Sequence, residues 1–303
     1  MKLTVDELSE GLRIDFYLAS VLQDFSRAKI QQMIKKDVVK INGRNIKASC
    51  ILKENDIIEI DESDLSENYE IKPENIQLEV VWEDENMAVI NKPSGMLTHP
   101  TTTERSGTLV NALLYHYGNN LSDLNGDYRR GIVHRLDRNT SGLIMIAKNN
   151  KTHEFLVNEM KEKRITKKYI AIVKGSIEQD RFTIDSPIGR HPTQPHKQTV
   201  REDGKESLSI INCLKRFKNA TLIEVTLVTG RTHQIRVHLS SVGHPVYNDT
   251  LYGFGKMKIK TDEQVLQSYK LEFTKPFTEE KINLEIKPDS KFNKVLKYLY
   301  ENN

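Results

Sequence analysis

Apolar positions recur with a helical period near the start of this chain, and with alternation or in continuous runs further on. From Arg13, residues Ile14, Tyr17, Leu18, Val21 and Leu22 fall at i, i+3, i+4, i+7 and i+8, one face of an amphipathic helix. Ser26 suits the N-cap of a second helix that buries Ile30, Met33 and Ile34 and turns Arg27, Gln31, Lys35 and Lys36 outward. Val39 and Ile41 alternate into Asn42-Gly43, a strong hairpin signal; Ile46 lies beyond, and Ile57 to Ile60 predicts a strand that closes a small sheet. The acidic stretch from Asp61 to Asn75 is poor in large apolar residues, contains Pro73 and reads as a linker.

Beyond it, Leu78 to Val81 and Met87 to Ile90 predict two strands around the turn Glu83 to Asn86. Thr108 is placed to cap a helix through Leu109, Ala112, Leu113 and Tyr117, stopped by Gly118. The run Leu143 to Ala147 is apolar throughout, short and partly β-branched, which favours a buried strand over a helix. Helical spacing returns between Asn150 and Glu162 at Phe155, Leu156 and Met160, and KKYIAIVKG then alternates as a strand containing Tyr169. Gly189 to Lys205 is polar, holds two prolines and reads as a mobile basic loop. Strands are predicted over Leu208 to Leu214 and Thr221 to Val228. Thr232 is a candidate cap for a helix through His233, Ile235, Arg236, Leu239 and Val242, with Gly243 to end it and Pro245 to prevent continuation. Strands joined by short turns, with helices interspersed, predict an α+β fold on a mixed, mainly antiparallel sheet with flanking helices.

At 303 residues the chain exceeds one ordinary core, so a main domain with a smaller companion is expected. Charged residues are 29% of the total but the net charge is only +3, so any nucleic-acid surface must arise from local clustering of Lys and Arg. Cys50 and Cys213 belong to no C-x-x-C, which argues against a zinc or redox pair and for buried thiols in a reducing compartment. His233 and His238 are five apart with no H-E-x-x-H, so neither metal nor cofactor is expected. With no apolar leader in MKLTVDELSE and no run of membrane-spanning length, the expectation is a soluble cytoplasmic protein, with nothing demanding more than a monomer.

The densest chemistry lies in GIVHRLDRNTSGLIMIAKN, from Gly131 to Asn149, where polar residues precede the buried run. A carboxylate entering a core there, Asp137, can be partly dehydrated while neighbouring arginines keep it ionised.

HRLDRNTSGL resembles the signature of the RluA-type pseudouridine synthases, which isomerise uridine in ribosomal and transfer RNA. NKPSGMLTHP and LVTGRTHQIRVHLSSVGHPVYNDTLYG are similar to further segments of that family. The QSYKLEF segment departs from it, lacking a histidine common in relatives. SRAKIQQMIKKDVVKINGR, within two helices and a hairpin, resembles the S4 RNA-binding module. The resemblance implies an S4 domain over residues 11–60, an acidic linker over 61–76 and a catalytic domain over 77–303.

It further implies that Asp137 is catalytic, that Tyr169 is the active-site tyrosine and Arg231 the active-site arginine. His134, Arg135, Thr140 and Ser141 are expected to support the site. Arg13, Arg27, Lys29, Lys35, Lys36 and Arg44 are expected to contact RNA phosphates. Uridine isomerisation needs no redox change; cleaving the glycosidic bond builds positive charge on the sugar, which a carboxylate can stabilise, trap covalently, or relieve by acting as a base on the ribose. Arg231 is the expected counter-charge that keeps Asp137 ionised. The implied partner is large-subunit (23S) ribosomal RNA, with transfer RNA as the alternative. Two other classes compete: an idle RNA-binding assembly factor, which would be expected to have lost at least one of Asp137, Tyr169 and Arg231, and a nucleoside or glycoside hydrolase, which normally needs a second carboxylate for acid/base work where the central motif offers only one.

Overall fold

In a computed structural model the chain divides into two units, Met1–Glu70 and Ile71–Asn303; residues 2–22, 25, 27–61, 71–101, 103–194, 196–253, 259, 261 and 263–302 are described. In the first unit, Asn42 and Gly43 take φ of 49° and 74°, the two successive positive values of a type I′ turn. They fold β2 (Val39–Ile41) onto β3 (Arg44–Asn45), and β4 (Ile57–Ile60) and β1 (Lys2–Thr4) complete a sheet of order β1-β4-β2-β3. The helices α1 (Ile14–Val21) and α2 (Arg27–Lys35) share a core with it, in which Ile14, Leu18, Ile30, Met33, Ile34, Val39 and Ile58 are buried. Val21, expected inside, is exposed. The proposed cap Ser26 and linker residues 62–70 lie outside the described residues.

Residues 71–76 are not linker. Ile71 is buried in the core of the second unit, the Asn111 side chain donates to Lys72 O, and Glu74 N donates to Asn111 O. The second unit is built on a nine-stranded sheet of order β5-β6-β7-β14-β8-β13-β12-β9, with β15 paired to β14. The strands are β5 (Val80–Glu83), β6 (Met87–Lys92), β7 (Ser141–Ala147), β8 (Thr166–Lys174), β9 (Arg181–Asp185), β12 (Leu208–Phe217), β13 (Ala220–Leu227), β14 (Leu266–Thr274) and β15 (Lys281–Glu285). The β7–β14 pairing is parallel and the other pairings are antiparallel.

Helices cover both faces, which is why β7 is buried at every residue and its sequence is continuously apolar. On one face, Leu109 and Leu113 of α3 (Leu109–Tyr117) and Ile235 and Leu239 of α5 (Gln234–Ser241) join Ile144, Ile146 and Ala171. On the other, Leu156 of α4 (Asn150–Lys161) meets Leu143 and Met145, while Phe292 and Val295 of α6 (Ser290–Glu301) meet Ile170 and Ile172. Thr108 caps α3 in a reciprocal capping box with Asn111. Gly142 has φ 112°, and a Cβ there would stand 2.0 Å from Ser268 O, so glycine is what lets β7 lie against β14.

Three expectations fail here. Gly189 to Lys205, read as a mobile loop, contains a two-stranded hairpin, β10 (Ile188–Arg190) on β11 (Gln198–Val200), because polar residues still pair through their backbones. Thr232 does not cap α5: the preceding position is His233 in the left-handed region, φ 57° and ψ 18°, with no side-chain cap. The first turn is closed instead by the Gln234 side chain, whose Oε1 accepts from Arg231 N and Thr229 Oγ1, both at 2.9 Å. Cys50 and Cys213, expected to be buried, are each partly exposed. Among the described residues no helix is long and apolar enough to cross a membrane.

Candidate active site

The central strand β14 fixes the distance between the two halves of the site. Its Ser268 pairs with Gly142 on β7 and with Tyr169 on β8, so Tyr169 stands two strands from the entry of β7, five residues after Asp137. From the covering face, α5 brings Arg236 to Asp137. Beside this pair lies a cavity of about 330 Å³ lined by His134, Arg135, Asp137, Thr140, Lys167, Tyr169 and residues 229–236.

Arg236 is the cation on Asp137. Its Nη1 donates to Asp137 Oδ2 at 2.9 Å, while Nε and Nη2 fork onto Asp249 Oδ2 and Oδ1 at 2.7 and 3.0 Å. Burial alone would weaken the Arg236 charge, but the hydrogen bonds and attraction of Asp249 and Asp137 outweigh it and raise its pKa above the ordinary arginine value. Asp249 is buried and also accepts Leu251 N and Tyr252 N, so the fork is itself anchored. Asp137 Oδ1 faces His233, whose Nε2 is 3.9 Å away. Burial pushes the Tyr169 hydroxyl well above the usual phenol range, so it is a neutral phenol.

The loop carrying Asp137 is held through its own carbonyls. Thr98 Oγ1 donates to Leu136 O, Lys92 Nζ and Gly95 N donate to Arg138 O, and Ser94 Oγ donates to Asn139 O, at 2.8 to 3.0 Å. The segment NKPSGMLT thus brackets the aspartate from both sides. Lys92 is fully buried, and its three donors go to the carbonyls of Pro93, Met96 and Arg138. Burial pulls its pKa down to about 7.

The support residues divide the work. His134 Nε2 accepts from Met145 N at 2.9 Å, and burial lowers its pKa to about 3, so a neutral imidazole ties the loop to β7. Thr140 Oγ1 accepts from Gln264, and Ser141 Oγ donates to Asp289, the N-cap of α6. Arg135 is exposed at the cavity.

Arg231 lines the cavity but does not pair with Asp137: it is exposed, and its Nε donates to Glu206 O at 2.9 Å. The charge role expected of Arg231 belongs to Arg236. Sequence reading missed Arg236, Asp249, His233 and Lys167. The available signal was an arginine among the apolar positions of an amphipathic helix, a placement that requires buried carboxylates. Lys167 lines the cavity beside Tyr169, and burial lowers its pKa.

In the N-terminal unit, Arg13 and Arg27 converge on one buried carboxylate. Arg13 donates through Nε and Nη2 to Asp15, Arg27 donates through Nε and Nη2 to Asp15 Oδ2, and Gln31 adds a bond at 2.6 Å. Burial would raise the Asp15 pKa, but the hydrogen bonds from Arg13, Gln31 and Arg27 outweigh it and hold the carboxyl far below the usual range. The Arg27 guanidinium also lies 4.2 Å from the ring centre of the exposed Phe16. Lys35, Lys36 and Arg44 are exposed, and Lys29 is half-buried.

Residues 86–241 match the family model described as RNA pseudouridylate synthase, and residues 12–58 match the S4 domain. An Aquifex aeolicus protein named an uncharacterized RNA pseudouridine synthase is 41% identical over 304 residues, spanning 96% of this chain and 95% of the relative. The ribosomal large subunit pseudouridine synthase D of Haemophilus ducreyi is 38% identical over 244 residues, spanning 80% and 73%. Among solved structures, human RNA pseudouridylate synthase domain containing 1 superposes with a TM-score of 0.58 at 25% identity, covering 74% of this chain and 95% of that one. The chain belongs to the RNA pseudouridylate synthase family, enzymes that isomerise uridine in RNA, with an S4 domain on its N-terminal side.

Proposed function

We propose that this enzyme converts specific uridines of large-subunit ribosomal RNA to pseudouridine, with Asp137 as the catalytic residue. The observation that carries the assignment is the setting of the Asp137 carboxylate: one oxygen is fixed by Arg236, and the residue lines the cavity together with Tyr169. Cleaving the N1–C1′ bond leaves positive charge on the sugar and negative charge on the uracil. The Asp137 carboxylate stabilises the first, and Arg236 stays paired with it. The uracil then turns, C5 bonds to C1′, the C5 proton leaves and N1 takes one up, so the product is an isomer.

Tyr169, neutral and rigidly packed, offers a ring face against which the uracil turns. C1′ and C5 are shielded in a helix, so the target nucleotide is flipped into the cavity. Arg135 at the cavity edge holds the vacated position, and Arg231 meets backbone phosphate. In the S4 domain, Arg13 and Arg27 present fixed guanidinium edges to phosphates, with Lys29, Lys35, Lys36 and Arg44 adding sequence-independent attraction. The preference for ribosomal RNA is supported by relatives named for the large ribosomal subunit.

The test is to map pseudouridine in ribosomal and transfer RNA from cells that lack the gene. A large-subunit site that disappears, returns with the wild type and stays absent with Asp137→Ala supports the proposal. A missing site confined to transfer RNA would move the substrate, and an unchanged map would overturn the assignment.

A further inference from the structure

Opposite Arg236, the second oxygen of Asp137 faces an imidazole whose orientation and proton are set from outside the cavity. Gln198 N, on β11, donates to Tyr252 Oη at 2.8 Å, and Tyr252 Oη stands 2.7 Å from His233 Nδ1. Since the phenol oxygen already accepts the Gln198 N–H, the arrangement that also uses its proton is donation to Nδ1. In a neutral imidazole the remaining proton is then on Nε2, the atom 3.9 Å from Asp137 Oδ1. Burial, together with Arg236 and Arg135 nearby, lowers the His233 pKa and favours the neutral ring, although Asp137 and Asp249 oppose this. The Tyr252 ring packs edge-on to the imidazole at 5.5 Å and lies 5.0 Å from the Arg236 guanidinium, so one side chain braces both neighbours of Asp137. His233 also occupies the left-handed region at the helix entry, where a capping residue is ordinarily extended.

We propose that His233 is a positioning residue for Asp137: its Nε2–H, aimed by Tyr252, holds Oδ1 toward the sugar of the bound nucleotide while Arg236 holds Oδ2. The gap of 3.9 Å becomes a hydrogen bond on closing by about 1 Å, as such contacts do when substrate is bound. Because Tyr252 is tied to the backbone of β11, seating of the β10–β11 hairpin and alignment of the carboxylate are one event. The assignment rests on the uridine isomerase function proposed above.

Asparagine and glutamine separate the two ring nitrogens. In His233→Asn the amide replaces Nδ1 and the donor at Nε2 is lost, at a residue type that adopts the left-handed region readily. In His233→Gln the amide reaches the Nε2 position. Steady-state release of tritium from C5-labelled large-subunit and transfer RNA transcripts reads turnover, and melting curves confirm that each variant is folded. His233→Asn is expected to lower kcat about 10- to 100-fold with KM nearly unchanged, and His233→Gln to restore most of it. Tyr252→Phe is expected to lower kcat comparably in the wild-type background and to have little further effect on His233→Gln, which has no tautomer to set. Equal kcat in His233→Asn and wild type, or equal losses in the Asn and Gln variants, would overturn the positioning role alone. Absence of release by the wild type from both RNAs would overturn the isomerase reading and this assignment with it.

Discussion

Arg236 and Asp137, 99 positions apart in sequence, meet at 2.9 Å, and the same guanidinium forks onto Asp249. The arrangement is a carboxylate–arginine–carboxylate chain in which Asp249 sets the plane of the guanidinium and the guanidinium sets one oxygen of Asp137. Arginine suits this because its five donors lie in one rigid plane; a lysine ammonium would reach one carboxylate and leave the other unpaired.

Arg236→Lys should therefore keep the charge but lose the fork. Expected outcomes are a fall in kcat of about 100-fold and a loss of roughly 3 kcal/mol, because a buried carboxylate is left without its partner. Arg236→Met should be worse on both counts. Thermal unfolding alongside single-turnover rates checks the prediction; wild-type turnover in Arg236→Lys would contradict it.

Lys92 acts on the same aspartate from behind, through the Arg138 carbonyl. Lys92→Met preserves the buried stem and removes three hydrogen bonds. Expected outcomes are a loss of roughly 2–3 kcal/mol and slower turnover, with RNA affinity retained. A filter-binding Kd near that of the wild type, together with a reduced kcat, would mark the effect as one on the loop.

In the S4 domain, Asp15 has a folded-state pKa depressed below its ordinary value of 3.8. The sign follows from linkage: the unfolded chain binds the proton more readily, so the stability contributed by Asp15 is present above about pH 4 and is lost as pH falls through the folded value. Asp15→Asn should cost about 3 kcal/mol at neutral pH and weaken RNA binding as Arg13 and Arg27 lose their anchor. The stability gap from wild type should narrow between pH 4 and pH 2. Urea titrations of the full chain across that range, followed at the N-terminal unit, measure it.

The elements that could be read from the sequence are those whose own side chains announce them. Asn42-Gly43 specified its turn, Thr108 marked the start of α3, and the apolar run before Lys148 marked a buried strand. The central strand β14 was silent because Gln267 and Ser268, near its start, are buried and polar: Gln267 donates to Lys287 O and Ser268 to Leu143 O. The β10–β11 hairpin was silent because Ile188 is the one buried residue in its two strands, too few to set a period, and the remaining positions pair through backbone.

At the site, the long motif around Asp137 was legible in the sequence. The partner of Asp137 was not. Arg231 and Arg236 lie five residues apart, and which of them turns inward depends on where α5 begins. That start is set by Gln234 closing the turn in place of Thr232, a choice visible only in three dimensions. Likewise, nothing local to His233 shows that Tyr252, 19 residues later, reaches its ring.

The role proposed for Asp137 is to drive uridine isomerisation in large-subunit ribosomal RNA. It is tested most directly by incubating C5-tritiated ribosomal and transfer RNA transcripts with the wild type and with Asp137→Ala, since replacing the C5–H bond by a bond to C1′ must release the label to water. The predicted result is release from large-subunit ribosomal RNA by the wild type and none above background by a folded Asp137→Ala that still binds the RNA. Release by the variant at the wild-type rate would contradict the role of Asp137. Failure of the wild type to release label from either RNA, including ribosomal RNA taken from cells lacking the gene, would contradict the function itself.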